Sequence, residues 1–551
     1  MRADDGYGRR TCVNLSTSLV ERSPVRPHLR RCLVAFAALV ALAASACTGT
    51  SDDERPVALP TKVLIAAGED PWPDEGEGTT STHFVFPLNF NVYEPLVTLG
   101  PDFSLQPGLA ERWEPLDGGN AGWRFHLRRG VTFQDGTPFT ADDVLWTWDR
   151  QAEARKLTSV LNTLGPGSVR QRDDYTVDFV PAVPNLRLPE QLAHPHGAIL
   201  PRGRDFDSNP PVGSGPYRVA SYQPGESAIF ERYEGYWGEA PGIPRLEVRF
   251  LADPKARAEA LTKGDVDVAL DVAPDDAATL AKDRRFTLAR SEAGRNQLLY
   301  VNRQGQAPFD LGADPLVRQA ISLAVDRAAY AREVFGAEAE PGRWMAPASI
   351  LGEAKDLVAP PPSDPERARR LLDEAGWVPG EDGVRARNGR RLGLTMIGWA
   401  EVTPRAYEIL SGQLRTVGIE LNVQSVSDQS TFRSIYGTSQ FDLDLEVPNQ
   451  NDGNPALLPV ARMYSKNPGT GRFAPGGEFD AKAEAALAAK DPEDLRRAAA
   501  EMMQILVNDT HIVIPLAGVP RTYAMKRTFD LPTPHPSQAN QRWDDLVPVR
   551  R

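Results

Sequence analysis

Cysteine is nearly missing from this 551-residue chain, which carries only Cys12, Cys32 and Cys47. Cys12 and Cys32 fall in a leader expected to be removed, so the mature protein is expected to hold no disulfide. A body of about 500 residues buries enough apolar surface to be stable without one, even in an oxidising compartment. A basic excess is missing too. The formal net charge of -12 argues against nucleic acid, which demands a positive face. Hydrolase signatures are also lacking: there is no Gly-x-Ser-x-Gly, no His-Glu-x-x-His, and no metal-ligand spacing among the seven histidines. His194-Pro-His196 reads as a loop without an acidic or sulfur partner beside it. The segment Asn449 to Asn454 fails as a calcium loop, because Pro448 occupies the first ligand position. No catalytic, metal or cofactor residue is therefore assigned.

Long hydrophobic runs are scarce as well, and the exception is informative. Residues 32–47 form one apolar stretch behind Arg30 and Arg31, closing in Ala44, Ser45, Ala46 and Cys47. The stretch is too short to span a bilayer comfortably and gives way at once to a polar tether, so it reads as an export signal. Its end resembles a bacterial lipoprotein lipobox, although Ala44 stands where Leu is usual and Leu42 lies further back. That resemblance implies acylation of Cys47, removal of residues 1–46, a lipidated tether over 47–58, and a place on the outer face of the cell membrane.

From Val57 onward the chain is ordinary in composition, with 41% hydrophobic and 25% charged residues overall, which predicts a globular body. Its length implies two or three packed units. Tyr175–Val180 and Leu246–Leu251 alternate as strands bounded by Pro and Gly. Leu316, Ala320, Ile321 and Ala324 make a buried helix stripe. A helix from Pro365 stops at Gly376, and another over Tyr407–Val417 passes through Gly418 into the strand Ile419–Gln424. Strand and helix alternate on both sides of the middle, predicting two α/β lobes with the Pro- and Gly-rich stretch Gln304–Pro315 as junction. Gln134–Pro138 reads as a tight turn with Gly136 at positive φ, and Thr140 with Asp143 as a self-capping helix start. Gly213-Ser-Gly215 is a tight loop rather than a phosphate cradle, since no Lys follows.

Several stretches in order carry a family resemblance: Val92–Val97, Leu105–Glu114, Phe125–Val144, Pro211–Tyr217, Tyr233–Gly238, Leu261–Asp267 and Val317–Arg327. Together they resemble the peptide/nickel/opine family of extracytoplasmic solute-binding proteins that serve ABC importers. The resemblance implies a two-lobed α/β periplasmic-binding-protein type II fold with an extra subdomain. Lobe I takes 59–301 with the subdomain at about 100–200, lobe II takes 302–513, and 514–551 return to lobe I. It also implies a non-enzymatic receptor, acting as a monomer without cofactor, that closes on a small solute, most simply a short peptide, and hands it to permease and ATPase subunits. A receptor of the same fold for a non-peptide solute (nickel chelate, opine or oligosaccharide) is the first rival reading, ahead of a cell-surface scaffold or an exported hydrolase.

The candidate cleft residues are Asn89 and Asn91 on lobe I facing Trp399, Glu401 and Tyr436 on lobe II, with Trp399 placed where the strand through Leu394–Ile397 would open. Asn451 and Asp452 complete the set. In peptide-binding members an Asp at the position matching Asn451 holds the ligand's α-ammonium. A neutral acceptor there contributes roughly 0.5–1.5 kcal/mol against 1.5–3 for a charged one. Either Asp452 takes over through a small loop shift, or the natural ligand has no free amino terminus.

Overall fold

Two long strands decide the architecture. The computed structural model describes residues 60–68, 91–117, 122–153, 164–182, 185, 187–194, 197–204, 210–399, 404–426, 429–448, 453–466, 473–489, 491–532, 534–537 and 540–549. Cys47 and the whole leader and tether lie outside these residues, as do Asn89, Glu401, Asn451 and Asp452.

The main sheet has ten strands. They are β1 (Val63–Ala67), β2 (Tyr217–Gln223), β3 (Ser227–Arg232), β4 (Arg245–Phe250), β5 (Val268–Ala269), β6 (Phe286–Val301), β7 (Gly393–Trp399), β8 (Glu420–Val426), β9 (Leu443–Glu446) and β10 (Val513–Lys526). Their order across the sheet is β8-β7-β9-β6-β10-β5-β1-β4-β3-β2. Central strands such as β1 and β10 are buried along almost their whole length, whereas the edge strands β2 and β8 present polar, exposed residues. Polar edges discourage pairing with another chain.

Strand β6 pairs with β10 from Phe286↔Lys526 to Tyr300↔Val513, with register shifts between Arg290 and Ala293, Ala293 and Arg295, and Gln297 and Leu298. Bulges bend and twist a ribbon locally. On one side of the shifts β10 continues into β5, and on the other β6 continues into β9. The chain thus changes halves inside β6, before the Gln304–Pro315 stretch is reached. That stretch is fastened within the second half, where Leu311 N donates to Asp442 Oδ1 at 3.3 Å and Asn302 Nδ2 donates to Phe441 O at 2.7 Å.

A separate four-stranded sheet spans Ala110–Phe179 and packs Phe125, Trp148 and Phe179 edge to face under helix Ala141–Glu153. The local chemistry read from the sequence holds there. Gly136 sits at φ 85°, and Asp143 Oδ2 accepts from Thr140 N at 2.8 Å. Helix Pro365–Glu374 is capped by Asp364 and followed by Gly376 at φ 79°. Helix Pro404–Arg415 starts three residues earlier than the expected Tyr407 and ends two before Val417. In helix Pro315–Ala324 the buried face is Val317, Ala320, Ile321 and Ala324, with Leu316 only half-buried. Asp314 caps the helix, its Oδ1 accepting from Leu316 N at 3.0 Å.

Four of the stretches that carry the resemblance, Val92–Val97, Phe125–Val144, Pro211–Tyr217 and Tyr233–Gly238, meet in one buried junction. Glu94 accepts from Ser214 Oγ at 2.9 Å, Tyr236 OH at 2.9 Å and Trp237 Nε1 at 2.7 Å, with Arg542 Nη1 at 3.8 Å. Beside it Gln134 Nε2 donates to Tyr217 O at 2.8 Å and Gly215 O at 3.1 Å. A Cβ on Gly213 would lie 2.0 Å from Val92 O, so glycine is required for that approach.

Candidate functional site

The direction of the strands places a crevice at the crossing ribbon. In the first half β1 runs parallel to β4 and β5, ending at Ala67, Phe250 and Ala269. In the second half β7 runs parallel to β8 and β9, ending at Trp399, Val426 and Glu446. Glu446 pairs with Leu298, just past the last register shift of β6. Both sets of carboxyl ends therefore point at the same short segments, Ser291–Gln297 of β6 and Ala517–Arg521 of β10. In open α/β sheets ligands bind outside the carboxyl ends of the strands.

A cavity of about 200 Å³ lies at that crossing, lined by Glu292, Asn296, Glu340, Trp344, Ser349 and Gly518 among others. Three stretches far apart in sequence build it. The segment through Pro341 is laid along β10 by an isolated bridge to Ala517 and by the bond from Gly518 N to Glu340 O at 2.9 Å. Trp344 is held by its Nε1 donating to Lys355 O at 3.0 Å. Gly518 forms part of the floor, where an added Cβ would lie 2.9 Å from Ala293 Cβ. Asn296 is 5% exposed, and its Nδ2 has no acceptor among the described residues.

The two halves also touch away from the ribbon. Arg187 Nη2 donates to Gly453 O at 3.1 Å, and Arg187 is itself set by Glu190 at 3.0 Å. Ile350 packs in the apolar cluster of Leu96, Leu99, Phe103 and Leu109. These contacts connect the second half to the small-sheet region of the first.

Of the candidate cleft residues, Asn91 is 0% exposed, and its Oδ1 accepts from Trp543 N at 2.8 Å, which fastens the C-terminal segment to the first half. Tyr436 lies half-buried on helix Gln429–Thr438, stacked on Phe441 at 5.5 Å and 21°, with Arg462 Nη1 3.4 Å from its hydroxyl. Burial pushes its phenol above the ordinary range. Arg462 in turn pairs with Glu446 at 2.7 Å, at the end of β9. Trp399 is the last residue of β7, paired opposite Val426 within the strand rather than following it. Glu292, Asn296, Glu340 and Trp344 were not singled out by sequence. The one signal available was a Trp shortly after the turn-forming Pro341-Gly342.

Comparison with known proteins agrees with this geometry. Residues 104–470 match the sequence model of bacterial extracellular solute-binding proteins, family 5. The chain is 32% identical over 379 residues to Protein XP55 of Streptomyces lividans, covering 66% of each chain. It is 29% identical to Di/tripeptide-binding protein 2 of Pseudomonas aeruginosa, covering 52% of this chain and 58% of that one. The match thus spans just under two thirds of the first relative and less of the second. Among solved structures, NikA from Brucella suis in complex with Fe(III)-EDTA superposes with a TM-score of 0.77 at 22% identity, covering 89% of this chain and 100% of that one. The oligopeptide-binding protein AppA from Bacillus subtilis, in complex with a nonapeptide, gives 0.71 at 20%, covering 89% and 99%. The likeness establishes a two-lobed type II periplasmic-binding fold.

Proposed function

Because the chain belongs to family 5 of the bacterial extracellular solute-binding proteins, whose members are receptors rather than enzymes, we propose that it captures a short peptide between its lobes and delivers it to an ABC importer. The observation that carries this reading is the crossing ribbon, a bulged two-stranded link with both sets of strand ends and a cavity gathered at it. Such a link lets two rigid halves close on a solute and reopen against permease and ATPase subunits. In this reading lobe I is 59–301 with 514–551, lobe II is 302–513, the protein acts as a monomer, and acylated Cys47 holds it at the outer face of the membrane. Asn89, Asn91, Trp399, Glu401, Tyr436, Asn451 and Asp452 remain the proposed contributors to the cleft, with Asn91 acting through the segment it fastens.

Asn451 favours a second reading, a solute without a free ammonium such as a metal chelate or opine, because an amide replaces a carboxylate at that position. Thermal unfolding of the purified mature protein with separate pools of di- to pentapeptides, oligosaccharides and nickel chelates tests the two. A ligand at a hundredfold excess over its Kd stabilises by about 2.7 kcal/mol. Stabilisation by peptides alone is expected. Stabilisation by chelates or sugars alone overturns the peptide reading.

A further inference from the structure

The cavity at the crossing strands is acidic, and among the described residues no cation pairs with its acids. Glu292 and Glu340 both line it. Two nearby cations are engaged elsewhere: Arg290 pairs with Glu338, and Arg343 donates to Val358 O at 2.7 Å and faces Asp356. Two exposed carboxylates alone would mean little. The independent observation is Asn296, which is buried on the cavity wall with an amide nitrogen that finds no acceptor among the described residues. Burying a donor without a partner is costly, so such a group marks a place where an acceptor arrives.

The three side chains specify what fits. Two carboxylates call for a cation, and the Asn296 amide calls for a carbonyl oxygen close to it. A peptide's first residue offers both, with the ammonium nitrogen and its own carbonyl oxygen roughly 3 Å apart by covalent geometry. About 200 Å³ holds one small residue and not a whole peptide. Gly518 keeps the floor open, since a Cβ there would press on Ala293.

Resting on the peptide reading above, we propose that the ligand's amino terminus enters this cavity, its ammonium between Glu292 and Glu340 and its first carbonyl accepting from Asn296. The loop bearing Asn451 and Asp452 is then free of that task. This accounts for an Asn where peptide-binding relatives carry a carboxylate, without requiring a ligand that lacks an amino group.

Calorimetry with tri-, tetra- and penta-alanine, each free and N-acetylated, tests the proposal on the mature protein. The free peptides are expected to bind at least tenfold more tightly than the acetylated ones. In Glu292→Gln/Glu340→Gln that preference collapses, with about tenfold lost for each charge-assisted contact removed. Asp452→Asn leaves it intact. Asn296→Ala is expected to weaken free-peptide binding while the unliganded protein unfolds at the same or a higher temperature, an outcome opposite to that of a structural asparagine. Retention of the preference in the double variant, or its loss in Asp452→Asn, overturns the proposal. Binding without any preference for a free amino terminus overturns it and leaves the peptide reading standing. Failure of every alanine peptide to bind refutes both.

Discussion

His535 should make stability fall as the solution is acidified, by an amount that the structure sets. Its ring is 4% exposed. Nε2 lies 2.9 Å from Gly100 O and Nδ1 lies 2.9 Å from Ser537 N. A neutral imidazole satisfies both, donating from Nε2 and accepting at Nδ1. An imidazolium would set its Nδ1–H against that of Ser537, with Ser537 O at 3.1 Å as the alternative acceptor, so burial of the charge is what opposes protonation. Phe103 closes the site edge-on at 5.4 Å. Burial is the main cause that holds the His535 pKa down, from 6.5 to about 4.

The sign follows from proton counting. Between about pH 6.5 and pH 4 the unfolded chain binds a proton that the folded one does not, so stability rises with pH through that window and is lost as pH falls. At about 1.36 kcal/mol per pH unit, the loss reaches about 2.5 kcal/mol by about pH 4.5. Asp442 acts in the opposite sense. It is 1% exposed, and burial raises it to about 6, so its contribution is full below 3.8 and is lost as pH rises through about 6. The unmodified protein's own profile therefore blends the two. The difference between it and His535→Gln separates them, because the substitution leaves Asp442 untouched. Urea unfolding followed by tryptophan fluorescence should show the two proteins converging by about 2.5 kcal/mol between about pH 7 and pH 4.5. A constant gap across that range would refute the reasoning.

Two further outcomes are expected. Glu94→Ala removes the acceptor shared by Ser214, Tyr236 and Trp237, leaving three buried donors unpaired while Arg542 keeps Asp544 at 2.6 Å, which should cost about 3–5 kcal/mol in urea unfolding; a loss under about 1 kcal/mol would mean the junction is not a buried network. Cys47→Ala should leave a folded body that separates from membranes, since acyl chains supply the proposed attachment; a variant that still sediments with membranes after a high-salt wash disproves the anchor.

What was legible in the sequence is what short-range chemistry determines. The turn at Gly136, the Thr140–Asp143 cap, the Asp364 and Gly376 helix ends and the strands near Tyr175 and Leu246 all depend on neighbours within a few residues. Helix Pro315–Ala324 was legible in extent and in facing at Ala320, Ile321 and Ala324, while Leu316 in its first turn is only half-buried. The two-lobed plan was legible through strand-helix alternation and family resemblance together. The position of the link was not. A Pro- and Gly-rich stretch looks like a hinge, yet here the crossing is made by β6 and β10, whose buried pattern reads as ordinary core.

The same separation of scales explains the site. Asn91 was expected as a cleft residue of lobe I, and the structure gives its side chain a fastening role instead. Its partner, Trp543 N, lies 452 positions away, and no local pattern announces it. The cavity poses the converse problem. Glu292, Glu340 and Gly518 are individually unremarkable on a chain with 74 acidic residues and 45 glycines. They acquire meaning only when β10 lays Gly518 between Ala293 and the chain at Glu340. A glycine that must stay bare, an asparagine whose amide is buried unpaired and two acids with no cation paired to them among the described residues are each weak signs in isolation. At one crossing of two strands they describe a socket for a cation that carries its own carbonyl.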